Sequence, residues 1–319
     1  MRLVDIFSKN MAPVVQKVER DNQMKTHICF YDLRASGLSD RGLLREENED
    51  AFFLSEDQGL YLVSDGMGGQ KAGGLASQMV AQVLPLQVQA GSLTQSIGGG
   101  VDAAGRLLSS SIGIVNEMLL DKTRDLPEAQ GLGATVTSLL KTDTGLALAH
   151  LGDSRAYLMR RGFLERLTKD HTVADLLLEA GQISRRQFRK HPGRNMLTRH
   201  IGMKDCPAPD AAVLHVRPGD RLLLCTDGLS GMLKDREIGR ILWETPDREL
   251  ACRQLIERAN EEGGRDNITV AILDVVRPAP RKGKRRKKVV VRRAVGRSTE
   301  NIVPEPDEWI EEKKKEAER

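Results

Sequence analysis

The sequence predicts an α+β fold in which largely antiparallel sheets are covered by helices. Three observations predict it. Short β-rich runs recur in pairs joined by short turns. Longer stretches with apolar spacing near 3 and 4 lie between the pairs. Strict β-α-β alternation, the mark of a parallel doubly wound sheet, is absent.

In chain order, residues 1–30 have weak periodicity and read as an extension. The runs AFFLS (51–55) and GLYLVSD (59–65) read as the first strand pair. Residues 74–90 then carry helical spacing, as do residues 100–120, although the Gly- and Ser-rich stretch 91–113 reads as a loose loop. ATVTSLL (134–140), GLALAHLGD (145–153) and RAYLMR (155–160) read as further strands. Residues 172–181 and 247–262 read as helices, the last supported by the i,i+4 pair Glu249 and Arg253 and by a cap signal at Thr245-Pro246-Asp247. DRLLLCTD (220–227) and NITVAILDVV (267–276) complete the strands. After Val276 the character changes abruptly, which places a boundary at Pro278 and Pro280. The expected organisation is an extension 1–30, one domain 31–277, and a tail 278–319 that is first basic and then mixed in charge.

With 39% hydrophobic and 29% charged residues the chain can build a core under an ordinary polar surface. Aromatics are only 3%, so that core must rest on Leu, Val, Ile, Ala and Met. No apolar run approaches the ~20 residues that span a bilayer, and the N-terminus does not resemble a signal peptide. The cysteines (Cys29, Cys206, Cys225, Cys252) form no CxxC pair, which points to free thiols and a reducing, cytoplasmic location. Net charge is +4, but residues 281–293 hold nine Lys or Arg and no acid, so the remainder carries −5. That block can contact an anionic surface or nucleic acid, or serve only as a solubilising tail; it lacks the interleaved aromatics that stack on bases.

Three apolar strands run into an aspartate beside glycine: YLVSDG (61–66), LAHLGDS (148–154) and LLLCTDG (222–228). A fourth aspartate, Asp266, precedes a strand in GGRDN, and the pair Glu49-Asp50 precedes another. One Asp-Gly alone is usually a turn. Five such acidic sites at strand ends, with Arg45 close upstream, instead suggest oxygen ligands for a hard cation beside a guanidinium suited to phosphate. No compact Cys or His cluster suggests structural zinc.

The ordered set RxxNEDAF (45–52), DGMGG (65–69), GAT (133–135), GDSRAYL (152–158), LTKDHT (167–172), LTRxIG (197–202), CTDGL (225–229) and GGRDNITV (263–270) resembles the type 2C metal-dependent serine/threonine protein phosphatases of bacterial type, over about residues 35–276. The resemblance implies a sandwich of two antiparallel sheets flanked by helices (αββα), with a flap over 172–200 near the active site. It implies two tightly bound Mn2+ or Mg2+ ions, with Asp65 as the shared ligand. Asp227 and Asp266 complete the first ion, and Glu49 with the Gly66 carbonyl the second. Asp153, with Asp227, matches the site of a third, weaker ion. Arg45 matches the phosphate-binding arginine and Asp50 the residue that orients the attacking water. The implied reaction is direct hydrolysis of phosphoserine and phosphothreonine in proteins, opposing a serine/threonine kinase, by a monomer and without a covalent phosphoenzyme. Met67 stands where many eukaryotic members carry a histidine proposed as general acid.

Other motifs fit poorly. Cys252 and Arg258 satisfy Cys-x5-Arg, but CRQLIER reads as a helix whose amides are spent on itself. GGQKAGG (68–74) has Leu75 and Ala76 where a phosphate loop needs Lys and Ser or Thr. His150 and His171 read as packing or hydrogen-bonding residues. The basic flap residues Arg185, Arg186, Arg189, Lys190 and Arg194 either guide a phosphorylated segment or form a solvated face. Competing readings are a silent relative used as a binding module, which the retained carboxylates oppose, and a phosphohydrolase of small molecules.

Overall fold

The computed structural model describes residues 31–68, 73–94, 100–124, 131–205 and 208–278. The expected extension 1–30, the basic segment 281–293 and the charged end of the tail lie outside the described residues. The chain divides into units Met1–Pro278 and Ala279–Arg319, and everything below belongs to the first.

In chain order the elements are β1 (Asp32–Asp40), β2 (Asp50–Ser55), β3 (Leu60–Met67), α1 (Gly73–Thr94), α2 (Gly100–Thr123), β4 (Gly133–Ala134), β5 (Val136–Lys141), β6 (Leu146–Leu151), β7 (Arg155–Arg160) and β8 (Phe163–Arg166). They continue with α3 (Val173–Glu179), α4 (Arg185–Phe188), a 3-10 turn (Pro192–Asn195), β9 (Asp210–Leu214), β10 (Arg221–Cys225), α5 (Asp227–Ser230), α6 (Asp235–Glu244), α7 (Arg248–Glu261) and β11 (Ile268–Val276). One sheet has the order β1-β11-β10-β7-β8. The other has β2-β3-β5-β6-β9, with β4 attached to β3. Every pairing within them is antiparallel. Among the described residues no helix is long and apolar enough to cross a membrane.

The central strands are buried on both faces, which is why they read as apolar runs rather than alternating ones. Along β3, Tyr61 and Val63 enter the layer between the sheets, while Leu60 and Leu62 meet α1 and α2. In β10, Leu222 and Leu224 face the other sheet, whereas Leu223 and Cys225 meet α6 and α7. Two helical layers thus cover two sheets, the expected αββα sandwich. Within the flap, α4 has no buried residue and depends on a capping box between Ser184 and Gln187.

Three features depart from the sequence reading. Residues 100–113 are helical throughout, because α2 buries Ala104, Leu107, Leu108, Ile112 and Val115 in one stripe despite its glycines and serines. Strands β1, β8 and β9 and helix α6 were not anticipated. The hairpin from β7 to β8 turns on Arg161 and Gly162, both with positive φ (51° and 83°), an Arg-Gly pair in a turn that normally announces itself as Asn-Gly. The signal at 245–247 marks a helix start as expected, with Asp247 as the cap accepting from the Leu250 N–H at 2.8 Å.

Candidate active site

Strand register brings the acidic motifs to one end of the sandwich. Asp50 opens β2 directly opposite Asp65 in β3. Asp227 follows the end of β10, and Asp266 precedes β11, whose Val270 pairs with Cys225. Asp153 lies in the short crossing from β6 to β7.

Side-chain bonds lock these ends together. The Thr226 hydroxyl donates to Asp50 Oδ2 at 2.8 Å, tying the end of β10 to the start of β2. Thr226 Oγ1 in turn accepts from the Thr269 N–H at 3.0 Å. Thr135 Oγ1 accepts the Asp65 N–H at 2.9 Å and lies 2.7 Å from Ser154 Oγ, linking β3 to the Asp153 crossing. Asn267 is buried and donates to the carbonyls of Arg41 and Glu47, both at 2.9 Å, while its Oδ1 accepts the Glu49 N–H at 2.8 Å. It thereby shapes the loop that carries Arg45 and Glu49. The Ser77 hydroxyl of α1 donates to the Glu49 carbonyl. Thr135, Thr226 and Asn267 were not singled out from sequence, although each stands in one of the motifs and Thr226 and Asn267 lie directly beside an aspartate.

Gly66 has no room for a side chain: a Cβ there would lie 2.1 Å from the Gly73 carbonyl and 2.7 Å from that of Glu49. Arg45 is half exposed and donates from Nη2 to Asp266 Oδ2 at 2.8 Å. Partial burial works against its charge, but Asp266 foremost, then Glu49 and Asp65, outweigh this and raise its pKa.

The carboxylates act on one another. Burial foremost pushes Asp50 up to about 7, with the Thr269 and Thr226 hydroxyls opposing and the charges of Asp227 and Asp266 adding. Asp227 is pushed up to about 6 by burial and by Asp266, with a hydrogen bond to Asp65 opposing. Asp65 rises well above the ordinary range through its desolvated setting and the charges of Asp50, Asp227, Asp153 and Asp266. Asp153 does so through desolvation, Asp227 and Asp170. Asp50 Oδ1 and Asp227 Oδ1 are buried with no hydrogen-bond partner. Among the described residues no three His, Cys, Asp or Glu side chains stand as a finished ligand cage. The carboxylates stand near enough to one another for their charges to raise one another's pKa. Such mutual repulsion costs the fold stability unless positive charge is supplied, and an all-oxygen donor set suits a hard divalent cation.

The residues set aside stay apart from this chemistry. Cys252 is in α7, and burial pushes its thiol up to about 11 and that of Cys225 up to about 12, far from a thiolate. His150 is buried between Thr137 Oγ1 and the Lys169 carbonyl, each at 2.9 Å. Residues 69–72 of GGQKAGG lie outside the described residues.

The family model for Protein phosphatase 2C matches residues 32–268. The serine/threonine protein phosphatase PstP of Mycobacterium tuberculosis is 37% identical over 249 residues, 76% of this chain and 45% of that protein, so the chain spans less than half the length of that relative. The serine/threonine phosphatase stp of Listeria monocytogenes is 32% identical over 245 residues, 76% of this chain and 96% of that protein. Among solved structures, the M. tuberculosis phosphatase PstP/Ppp superposes with a TM-score of 0.68 at 35% identity, over 77% of this chain and 99% of that one. The catalytic domain of PstP in complex with two manganese ions does so with a TM-score of 0.66 at 34% identity, again over 77% and 99%. Fold, motif order and these likenesses agree: the chain belongs to the protein phosphatase 2C family.

Proposed function

We propose that this protein hydrolyses phosphoserine and phosphothreonine in proteins, using divalent cations held by the carboxylates at the end of the sandwich. The observation that carries this reading is the convergence of Asp50, Asp65, Asp153, Asp227 and Asp266 at one end of the sandwich beside Arg45, close enough to act on one another's charge. The two unpartnered buried carboxylate oxygens and the side-chain-free approach at Gly66 support a cation fit. Asp65 would be shared by two ions. Asp227 and Asp266 would complete one, and Glu49 with the Gly66 carbonyl the other. Asp153, with Asp227, would hold a third more weakly. The manganese complex of the mycobacterial relative supports Mn2+, and the same oxygen set would take Mg2+.

When bound, the ions would supply Lewis acidity, acidifying a water near neutral pH and offsetting charge on the phosphoryl oxygens. The remaining work falls to the chain. Arg45, steadied by Asp266, has guanidinium N–H groups left to receive the phosphate. Asp50, its Oδ2 fixed by Thr226, has Oδ1 free to orient the attacking water and accept its proton. Met67 ends β3 and cannot donate a proton, so the leaving oxygen takes its proton from water. No covalent phosphoenzyme forms. The exposed basic residues of the flap, Arg185, Arg186, Arg189, Lys190 and Arg194, suit a phosphorylated protein segment better than a small molecule. We further place the protein in the cytoplasm as a monomer, opposing a serine/threonine kinase, with residues 281–293 as an electrostatic tether to an anionic surface or nucleic acid.

The test is phosphate release from a phosphothreonine peptide, measured with manganese, with chelator, and for Asp227→Asn. Manganese-dependent turnover lost in the variant is expected. No turnover from folded protein with manganese or magnesium would move the reading to a binding module or a small-molecule hydrolase.

A further inference from the structure

His200, the open position of LTRxIG, has no part in the reading above, yet the ladder turns it toward the carboxylates. Register in β3 and β4 sets Gly66 opposite Ala134 and Met67 opposite Gly133. On its other side Ala134 bridges Ile201: its N–H donates to the Ile201 carbonyl at 3.0 Å, and the Ile201 N–H donates back at 2.9 Å. The side chains of Ala134 and Ile201 are buried together in the core against α1 and α2. Side chains alternate across a strand, so Asp65 and Met67 belong to the opposite face, and His200 with them. The contacts agree: a Cβ on Gly133 would lie 2.5 Å from His200 Nδ1 and 2.9 Å from its Cε1. The imidazole thus fills the place of a side chain at 133, across from Met67, on the face that carries Asp65.

The segment that carries His200 is held from behind. The Gly202 N–H donates to Asn116 Oδ1 at 2.7 Å, and Nδ2 of the same buried Asn116 donates to the Met203 carbonyl at 3.1 Å. Its neighbour Arg199 is committed elsewhere, to Asp210 at 2.7 Å and to the Ala208 carbonyl. His200 Nδ1 lies 2.8 Å from the Ile201 carbonyl, an oxygen that only accepts, so Nδ1 carries a proton. Nε2 is then the atom that gains and loses one, and among the described residues it has no hydrogen-bond partner. The ring is half-buried.

Asp65, Thr135 and His200 follow one another across the ladder. Neighbouring strands lie about 4.8 Å apart, which sets the His200 backbone about 10 Å from that of Asp65, a span that a phosphoryl group and one water bridge. We propose that His200 holds the water that protonates the leaving serine or threonine oxygen and supplies its proton, the role that Met67 leaves open. This rests on the phosphatase reading. The attacking water gives a proton to Asp50 and forms the new P–O bond as the bond to the serine or threonine oxygen breaks. The water on His200 passes a proton to that oxygen and takes one from Nε2. His200 then regains a proton from solvent and Asp50 releases one, so the protons balance. His200 acts through the water, as a positioning residue and proton reserve.

The experiment compares the full chain with its His200→Gln and His200→Ala variants, with manganese, on two substrates. A phosphothreonine peptide has a leaving oxygen that needs a proton; para-nitrophenyl phosphate has one that does not. Circular dichroism checks folding, and His200→Ala serves if His200→Gln does not fold. Each variant should lose about 100-fold in kcat on the peptide, the scale of one positioned proton donor, with KM little changed. Each should keep most of its kcat on the aryl ester, and added imidazole should restore peptide turnover to His200→Ala. Equal losses on both substrates, unmoved by imidazole, or no loss on the peptide would overturn the role of His200 and leave the phosphatase reading standing. Wild type inert toward both substrates would overturn that reading, and the proposal with it.

Discussion

Asp227→Asn should stabilise the protein in chelator while removing its turnover. Asp227 is pushed up to about 6, against an ordinary aspartate value of about 3.9, and one pH unit corresponds to about 1.4 kcal/mol. Keeping it ionised in the fold therefore costs on the order of 2–3 kcal/mol above pH 6. The sign follows from proton counts. Between about pH 4 and 6 the folded chain retains a proton that the unfolded chain has released, so the penalty is absent at low pH and grows as pH rises through that window. Asparagine removes the charge and can donate to Asp65. The expected gain over wild type is about 2 kcal/mol at pH 7.5 in chelator, or roughly 4–8 °C in Tm for a domain of this size. Urea denaturation followed by circular dichroism at pH 5 and 7.5 reads it. The difference between variant and wild type should shrink at pH 5. With manganese the order should reverse, because a cation stabilises only the chain that binds it. A variant no more stable than wild type at pH 7.5 in chelator, or a difference independent of pH, would refute the reasoning.

Further outcomes can be measured in the same way. Arg221 is buried and joins Asp274 at 2.6 Å to the Leu242 and Thr245 carbonyls at 2.9 and 2.6 Å; Arg221→Met should cost about 3 kcal/mol in urea denaturation by leaving Asp274 and the α6 end undersupplied. His150 is lowered to about 3 by burial foremost and then by His171. The stability this represents is complete above an unfolded value of about 6.5 and is lost as pH falls toward 3, at up to about 1.4 kcal/mol per unit, a slope that His150→Gln should flatten. Arg161 adopts φ 51° in its hairpin, so Arg161→Asn should raise stability by about 0.5–1 kcal/mol with turnover unchanged.

The site was more legible in the sequence than the sheet edges. Asp65, Asp153 and Asp227 each end an apolar strand, and a carboxylate that stops such a run beside glycine is conspicuous. Their supports were not. Thr226, Thr135 and Asn267 act through hydrogen bonds between residues distant in the chain, and small polar side chains carry no periodicity that announces such pairing. At the edges, β1 reads DLRASGLSD and β9 is almost wholly exposed, so neither shows the apolar alternation of a half-buried strand. α6 has a glycine at its centre, which lowers helical propensity, yet Gly239 is where the helix passes within van der Waals reach of Leu164 on β8. The helical spacing of α3, the capped start of α7 and the double burial of β3, β10 and β11 were legible because local chemistry and tertiary packing demand the same residues there.

Anomalous diffraction from a crystal soaked in manganese would test the central claim most directly. The account predicts two strong peaks flanking Asp65, one touching Asp227 and Asp266 and the other touching Glu49 and the Gly66 carbonyl. Manganese bound elsewhere, or none at this cleft, would contradict it.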